Sequence, residues 1–182
     1  MRKHSLVRHP STPSRFVTAV YVEVQDHGDG ELDLQFVVKD AQFLVVPPFS
    51  SREPEHGLWR TTCFECFLKE RGRPSYVEVN ASPSGRWATY DFDGYRKGMQ
   101  DSSRATVMYA GTGELTAPGT YVCDITIDIS GTWPGPTQLA LSAVIEEEGG
   151  TKSYWALAHP PGAPDFHHPD CFVAELPPPP AA

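Results

Sequence analysis

The chain has 182 residues, 40% apolar and 21% charged, which suits one well-cored soluble domain rather than a disordered segment. A formal net charge of −8 argues against nucleic acid as a partner, because phosphate binding needs a basic face. No run approaches the roughly 20 apolar residues of a membrane span, and the basic start MRKHSLVRHPSTPSR is not followed by the apolar stretch of an export signal, so a cytoplasmic location is expected.

Along the chain, alternation of apolar and polar residues dominates. Ten segments read as strands: residues 16–26, 31–40, 61–70, 75–82, 86–94, 104–111, 120–130, 139–148, 152–158 and 171–176. Turn signals such as HGDG, RGRP, PSG, GTGELTAPG, SGTWPGP, EEEGGT and PPGAPD separate them. Many short strands with Gly/Pro turns predict an all-β fold, an antiparallel β-sandwich of about ten strands or a barrel. The spans 45–57 and 93–103 read as loops. The expected layout is one β-sandwich domain over residues 1–176 with a Pro-rich tail, PPPPAA, over 177–182.

Period-2 parity assigns faces to some of these strands. Tyr121, Cys123, Ile125, Ile127 and Ile129 form an inward row, with Asp124, Thr126 and Asp128 toward water. In TTCFECFLK, Phe64, Cys66 and Leu68 are core candidates and Glu65 projects from the other face. In SYVEVNAS, Val77 and Val79 face one way, while Tyr76, Glu78 and Asn80 face the other. If the two strands pair, Glu65, Glu78, Asn80 and Tyr76 share one sheet surface. A polar row flanked by aromatic rings is what sugar recognition requires, since hydroxyls need planar acceptors and donors and a pyranose face stacks on a ring. Cys63 and Cys66 form a C-x-x-C, but on a strand i and i+3 point to opposite faces, which favours buried free thiols over a shared metal or redox pair.

The runs GLWRTTCFECFLK, SYVEVNASPSGRWATYDFDGYRKGM, LSAVIEE and SYWALAHPPGAPDFHHPDCF, with LVRHPSTP near the start, resemble bacterial DOMON-like proteins carrying a domain of the carbohydrate-binding module family 9 type. The resemblance spans about Leu6 to Leu176. It implies an antiparallel β-sandwich and ancestry shared with modules that grip a sugar end between two tryptophans, sometimes with structural calcium nearby. More distant DOMON relatives bind haem. Neither an export signal nor an attached catalytic domain is expected, whereas modules of this type accompany secreted xylanases.

Candidate ligand-binding residues follow from both readings. Among the four tryptophans, Trp59 and Trp155 are the preferred stacking platforms, Trp87 stands behind them, and Trp133 reads as a cap between turns. Glu65, Glu78 and Asn80 would accept from or donate to hydroxyls, and His159 and His167 would close the pocket. The expected partner is a small molecule or oligosaccharide, bound without catalysis. A rival reading takes Glu65 and Glu78 as the paired carboxylates of a glycoside hydrolase. Another takes the protein as a haem or metal binder, with Met99 or Met108 beside the histidines. No cofactor is expected, calcium being the ion that DFDGY at 91–95 and the resemblance leave open, although a Gly turn with Asx hydrogen bonds explains that run more simply.

The histidine-rich loop HPPGAPDFHHPD (159–170) offers His159, Asp165, His167, His168 and Asp170 as zinc ligands. Its spacing matches no helical pair or finger, and adjacent His167 and His168 point apart in an extended chain. Four prolines stiffen it. A hydrogen-bonded structural loop or a ligand wall is the expected role.

Overall fold

The computed structural model describes residues 1–111, 113–117, 119–130 and 136–176; Trp133 and the 177–182 tail lie outside them. Among the described residues there are thirteen strands: β1 (Arg2–Arg8), β2 (Ala19–Asp26), β3 (Glu31–Lys39), β4 (Cys63–Glu70), β5 (Tyr76–Ala81), β6 (Trp87–Phe92), β7 (Gln100–Asp101), β8 (Thr106–Ala110), β9 (Glu114–Ala117), β10 (Thr120–Asp128), β11 (Thr137–Glu147), β12 (Thr151–Ala156) and β13 (Ala174–Leu176). Two single-turn 3-10 helices, Leu58–Arg60 and Pro169–Cys171, interrupt the loops. Among the described residues no helix is long and apolar enough to cross a membrane.

The strands run β7-β6-β5-β4-β11-β12-β1-β2-β3-β10-β8, with β13 on β11 and β9 on β10. All strand pairings are antiparallel. The order folds over at β1. Its first part pairs with β2 (Leu6 opposite Val20), and its last two residues pair with β12 (Val7 opposite Ala156). One strand thereby stitches two sheets into a sandwich.

Between the sheets the inward rows interdigitate. The Phe36 ring of β3 meets Phe64 of β4 at a tilt, 4.7 Å between centroids, and Phe64 lies 6.4 Å from Tyr121 of β10. Val20, Val22, Leu34, Ile125 and Ile127 meet Cys66, Leu68, Val77, Val79 and Leu141 in the same core. Each fully buried side chain of this size contributes about 1.5–3 kcal/mol, so the rows read from alternation are what hold the layers together. All four cysteines are free and buried. Cys63 and Cys66 fall on opposite faces of β4, Cys66 in the inter-sheet core and Cys63 in the outer cluster. Burial pushes the thiols of Cys123 and Cys171 up to about 12, which removes the thiolate that redox or metal chemistry needs.

The structure differs from the expected ten strands at four places. β1 has one buried side chain, Leu6, so no hydrophobic alternation marks it. β7 and β9 lie inside expected loops and turns, and their short pairings rest on backbone bonds rather than side-chain pattern. Residues 171–173, read as strand, instead close a 3-10 turn, and only Ala174–Leu176 pair with β11. Pro169 at the first position of that turn sets the local φ.

Candidate functional site: a cleft on the outer face of the second sheet

The sheet of β7, β6, β5, β4, β11 and β12 has a second face turned away from the core. On it the register sets Glu65 opposite Asn80 and Ser142, and Glu78 opposite Phe67 and Tyr90. Glu65 and Glu78 are therefore diagonal neighbours on adjacent strands. The expected shared surface of Glu65, Glu78, Asn80 and Tyr76 is present.

Loops cover part of this face and leave a cleft of about 500 Å³. Its floor is Glu65, Glu78, Tyr90, Phe92, Val144 and Tyr154; its walls are Trp59, Arg96, Met99, Pro164, Phe166 and His167. Trp59 sits in the 3-10 turn Leu58–Arg60, is 42% exposed, and meets the Tyr90 ring edge-on at 6.5 Å. Gly57, at φ +80, opens that turn, a conformation that favours glycine.

The wall opposite is the histidine-rich loop, and Asp165 is its anchor. Its carboxylate accepts from Arg96 Nη2 (2.7 Å), the Tyr95 hydroxyl and the His167 backbone N–H (3.2 Å). These bonds hold the Asp165 carboxyl below its usual range despite partial burial. They tie the loop to the turn after β6, where Arg96 adopts φ +53. A positive φ at a non-glycine residue is strained and persists where its surroundings fix it. Gly98 in the same turn, at φ +69, approaches Asp93 so closely that a Cβ would lie 2.0 Å from its Oδ2.

His167 connects wall to floor. The Tyr76 hydroxyl accepts from the Arg96 backbone N–H (3.3 Å) and lies 2.8 Å from His167 Nδ1. The other ring nitrogen, Nε2, lies 3.8 Å from Glu78 Oε2. Burial pushes His167 down to about 4, so the imidazole is uncharged at neutral pH.

Burial acts on the two acids in the sense opposite to its effect on His167, holding their protons on. Glu65 is 4% exposed and Glu78 6%. Ser142 Oγ donates to Glu65 Oε2 at 2.9 Å, and Asn80 Nδ2 donates to Glu78 Oε1 at 2.7 Å. Burial, reinforced at Glu65 by the nearby Glu78 charge, raises Glu65 to about 8 and Glu78 to about 7. The pair therefore retains protons near neutrality and presents both hydroxyl donors and carboxylate acceptors.

The expected site residues separate on this geometry. Trp59, Glu65, Glu78 and His167 converge on the cleft. Asn80 is wholly buried beneath it and orients Glu78. Trp155 does not face it: at 5% exposure it belongs to the inter-sheet core, opposite inward Ala143, and donates from Nε1 to Ser153 Oγ at 2.9 Å. Parity on β12 gives the cleft to Tyr154 instead. Trp87 packs against the core, donates from Nε1 to the Arg52 carbonyl (3.3 Å), and borders a separate hollow of about 190 Å³. His159 also lies elsewhere, donating from Nε2 to the Val7 carbonyl (2.8 Å) and meeting His9 edge-on.

Sequence reasoning missed Tyr90, Phe92, Tyr154, Phe166 and Arg96. Parity on WATYDF places Tyr90 and Phe92 on one face, and pairing Glu78 with Tyr90 would have put that face at the acids. Met99 lines the cleft, whereas Met108 is exposed on β8. Asp91 of DFDGY accepts from Arg104 Nε (3.0 Å) and Ser102 Oγ (2.7 Å), a structural use of that carboxylate. Among the described residues, the group of three within metal-binding reach is His27, Glu31 and Asp33 on the β2–β3 hairpin, not the histidine-rich loop.

No family model matches the chain, and no curated protein matches it significantly. Solved structures do resemble it. A protein of Bacteroides uniformis described as carbohydrate-binding superposes with a TM-score of 0.62 at 15% identity, covering 94% of this chain and 84% of that one. A carbohydrate-binding module of family 9 from Caldicellulosiruptor kristjanssonii, in complex with cellotriose, superposes with a TM-score of 0.53 at 12% identity, covering 84% and 70%. The fold is thus the antiparallel sandwich of family 9 modules.

Proposed function

We propose that the protein is a non-catalytic binder of a carbohydrate or related polyhydroxylated small molecule, working in the cytoplasm without a cofactor, and a DOMON-like relative of family 9 modules. The observation that carries this reading is the cleft itself. The exposed Trp59 ring and the partly exposed Tyr154 line it with the buried Tyr90 and Phe92, beside Glu65 and Glu78 and with His167 at the wall. Aromatic faces take the C–H surface of a pyranose, and fixed carboxyls take its hydroxyls. The sugar-binding descriptions of two proteins with this fold support it.

Calorimetry with mono- and trisaccharides tests the reading. A sugar is expected to bind with a Kd of millimolar or better, and Trp59→Ala is expected to weaken it about fivefold or more, the loss of roughly 1–3 kcal/mol of stacking and burial. Absence of heat from every sugar at millimolar concentration would refute it.

A second reading has one observation in its favour. Two buried acids with raised pKa values in a cleft are the requirement for a general acid in glycoside hydrolysis. Release of reducing sugar from an oligosaccharide, abolished by Glu65→Gln or Glu78→Gln, would favour it over simple binding.

A further inference from the structure

Neither buried acid of the cleft makes an ion pair with a Lys or Arg, and only Glu78 feels the more distant positive charge of Arg96. Glu65 receives one hydrogen bond, from Ser142 to Oε2, and Glu78 one, from Asn80 to Oε1. Among the described residues no donor bonds Glu65 Oε1 or Glu78 Oε2, and no Lys or Arg lies within ion-pair distance of either acid. The nearest fixed cation of the walls, Arg96, makes its ion pair with Asp165 at 2.7 Å, and His167 stands 3.8 Å from Glu78 with a neutral ring. Two diagonal carboxyls, each more than nine-tenths buried and both lining a cavity, are a costly arrangement that a charged visitor would relieve.

The surroundings fit a cation. Trp59, Tyr90, Phe92 and Tyr154 bring aromatic rings to the same cavity, and ring faces attract ammonium groups. The oxygens that lack donors call for N–H groups rather than a quaternary ammonium, which offers none. The cavity, at about 500 Å³, has room for more than the amine alone. The chain's net charge of −8 draws cations toward it at long range.

We propose that the cleft selects a protonated primary amine carried on a polyhydroxylated ring, an amino sugar, with the ammonium seated between Glu65 and Glu78 and the ring against the aromatic surfaces. This rests on the carbohydrate reading above and narrows it. Seating a cation ionises the acids, so binding near pH 7 releases about one proton to the buffer.

Calorimetry at pH 7 in two buffers of different ionisation enthalpy tests it, using glucosamine, glucose and N-acetylglucosamine and the trisaccharides of each. The glucosamine ligands are expected to bind at least tenfold tighter than their glucose and N-acetyl counterparts, with proton release. Comparing monomer with trimer then separates a free amino sugar from the end of a chain. In a Glu65→Gln, Glu78→Gln double variant whose circular dichroism matches wild type, the preference for amine over neutral sugar should collapse toward parity and the proton release should vanish. Equal or tighter binding of the neutral sugars overturns the amine assignment and leaves the carbohydrate reading standing. Absence of binding by all six ligands overturns both. Retention of the amine preference in the double variant also overturns the assignment to these two acids.

Discussion

Between about pH 6.5 and 8 the protein is expected to become less stable as pH rises, and Glu65→Gln is expected to flatten that slope. Unfolded carboxyls are ionised above about 4.5, whereas folded Glu78 and Glu65 keep protons up to about 7 and about 8. In that interval the folded state binds more protons than the unfolded one, so stability falls with rising pH. His167 acts the other way at lower pH. It is held to about 4 in the fold against 6.5 unfolded, so its contribution is present above 6.5 and lost as pH falls toward 4.

The two effects oppose each other below 6.5, and above it the acids dominate. The fall across this upper window is about 2 kcal/mol, or roughly 4–8 °C in Tm. His27, raised by Asp33 on an exposed hairpin, slopes in the same direction, but high salt screens it while the buried pair is screened much less. Thermal melts at 0.5 M salt across this range check the prediction. An unchanged slope in Glu65→Gln would contradict it.

Glu147→Ala is expected to be the most damaging single substitution away from the cleft. This carboxylate is fully buried at the end of β11. It accepts from three successive backbone N–H groups, Arg15 (2.8 Å), Phe16 (2.6 Å) and Val17 (3.0 Å), and from Ser14 Oγ (3.3 Å). Those bonds keep its pKa low despite the burial that opposes them. The carboxylate holds the segment before β2 against the opposite sheet. Alanine would leave the three donors without their acceptor, at a cost of about 3–5 kcal/mol and a Tm fall of roughly 10 °C. Denaturant unfolding checks this, and a loss below about 1 kcal/mol would show that the segment finds other acceptors.

Why some of this was legible in the sequence, and some not, comes down to what alternation encodes. In CFECFLK and YVEVNA one parity is wholly apolar (Phe64, Cys66, Leu68; Val77, Val79) and the acids fall on the other, so Glu65 and Glu78 could be placed on a common face once the two strands were taken to pair. SYWA carries aromatics on both parities. Whether Tyr154 or Trp155 faces the cleft depends on β12 registering Trp155 opposite Ala143, a long-range pairing that no local pattern contains. Trp59 stood out because it follows a polar loop, and its turn conformation leaves it exposed. Trp87, on a strand, is drawn to the core.

The loop HPPGAPDFHHPD divides similarly. Its prolines and crowded polar groups announced rigidity, and it is a wall anchored through Asp165. That Arg96 and Tyr95 anchor it, about 70 residues earlier in the chain, is a tertiary fact. His159 and His167 read alike in sequence, yet one bonds the Val7 carbonyl and the other lines the cleft.

The claim that the outer face of the second sheet binds sugar is tested most directly by indole N–H resonances of nitrogen-15-labelled protein titrated with cellotriose and with the glucosamine trisaccharide. Trp59, assigned through Trp59→Phe, is expected to shift progressively with at least one of them, while core-facing Trp155 stays in place. A shift of Trp87 or Trp155 with Trp59 unmoved, or no shift of any indole with either sugar, would contradict the account.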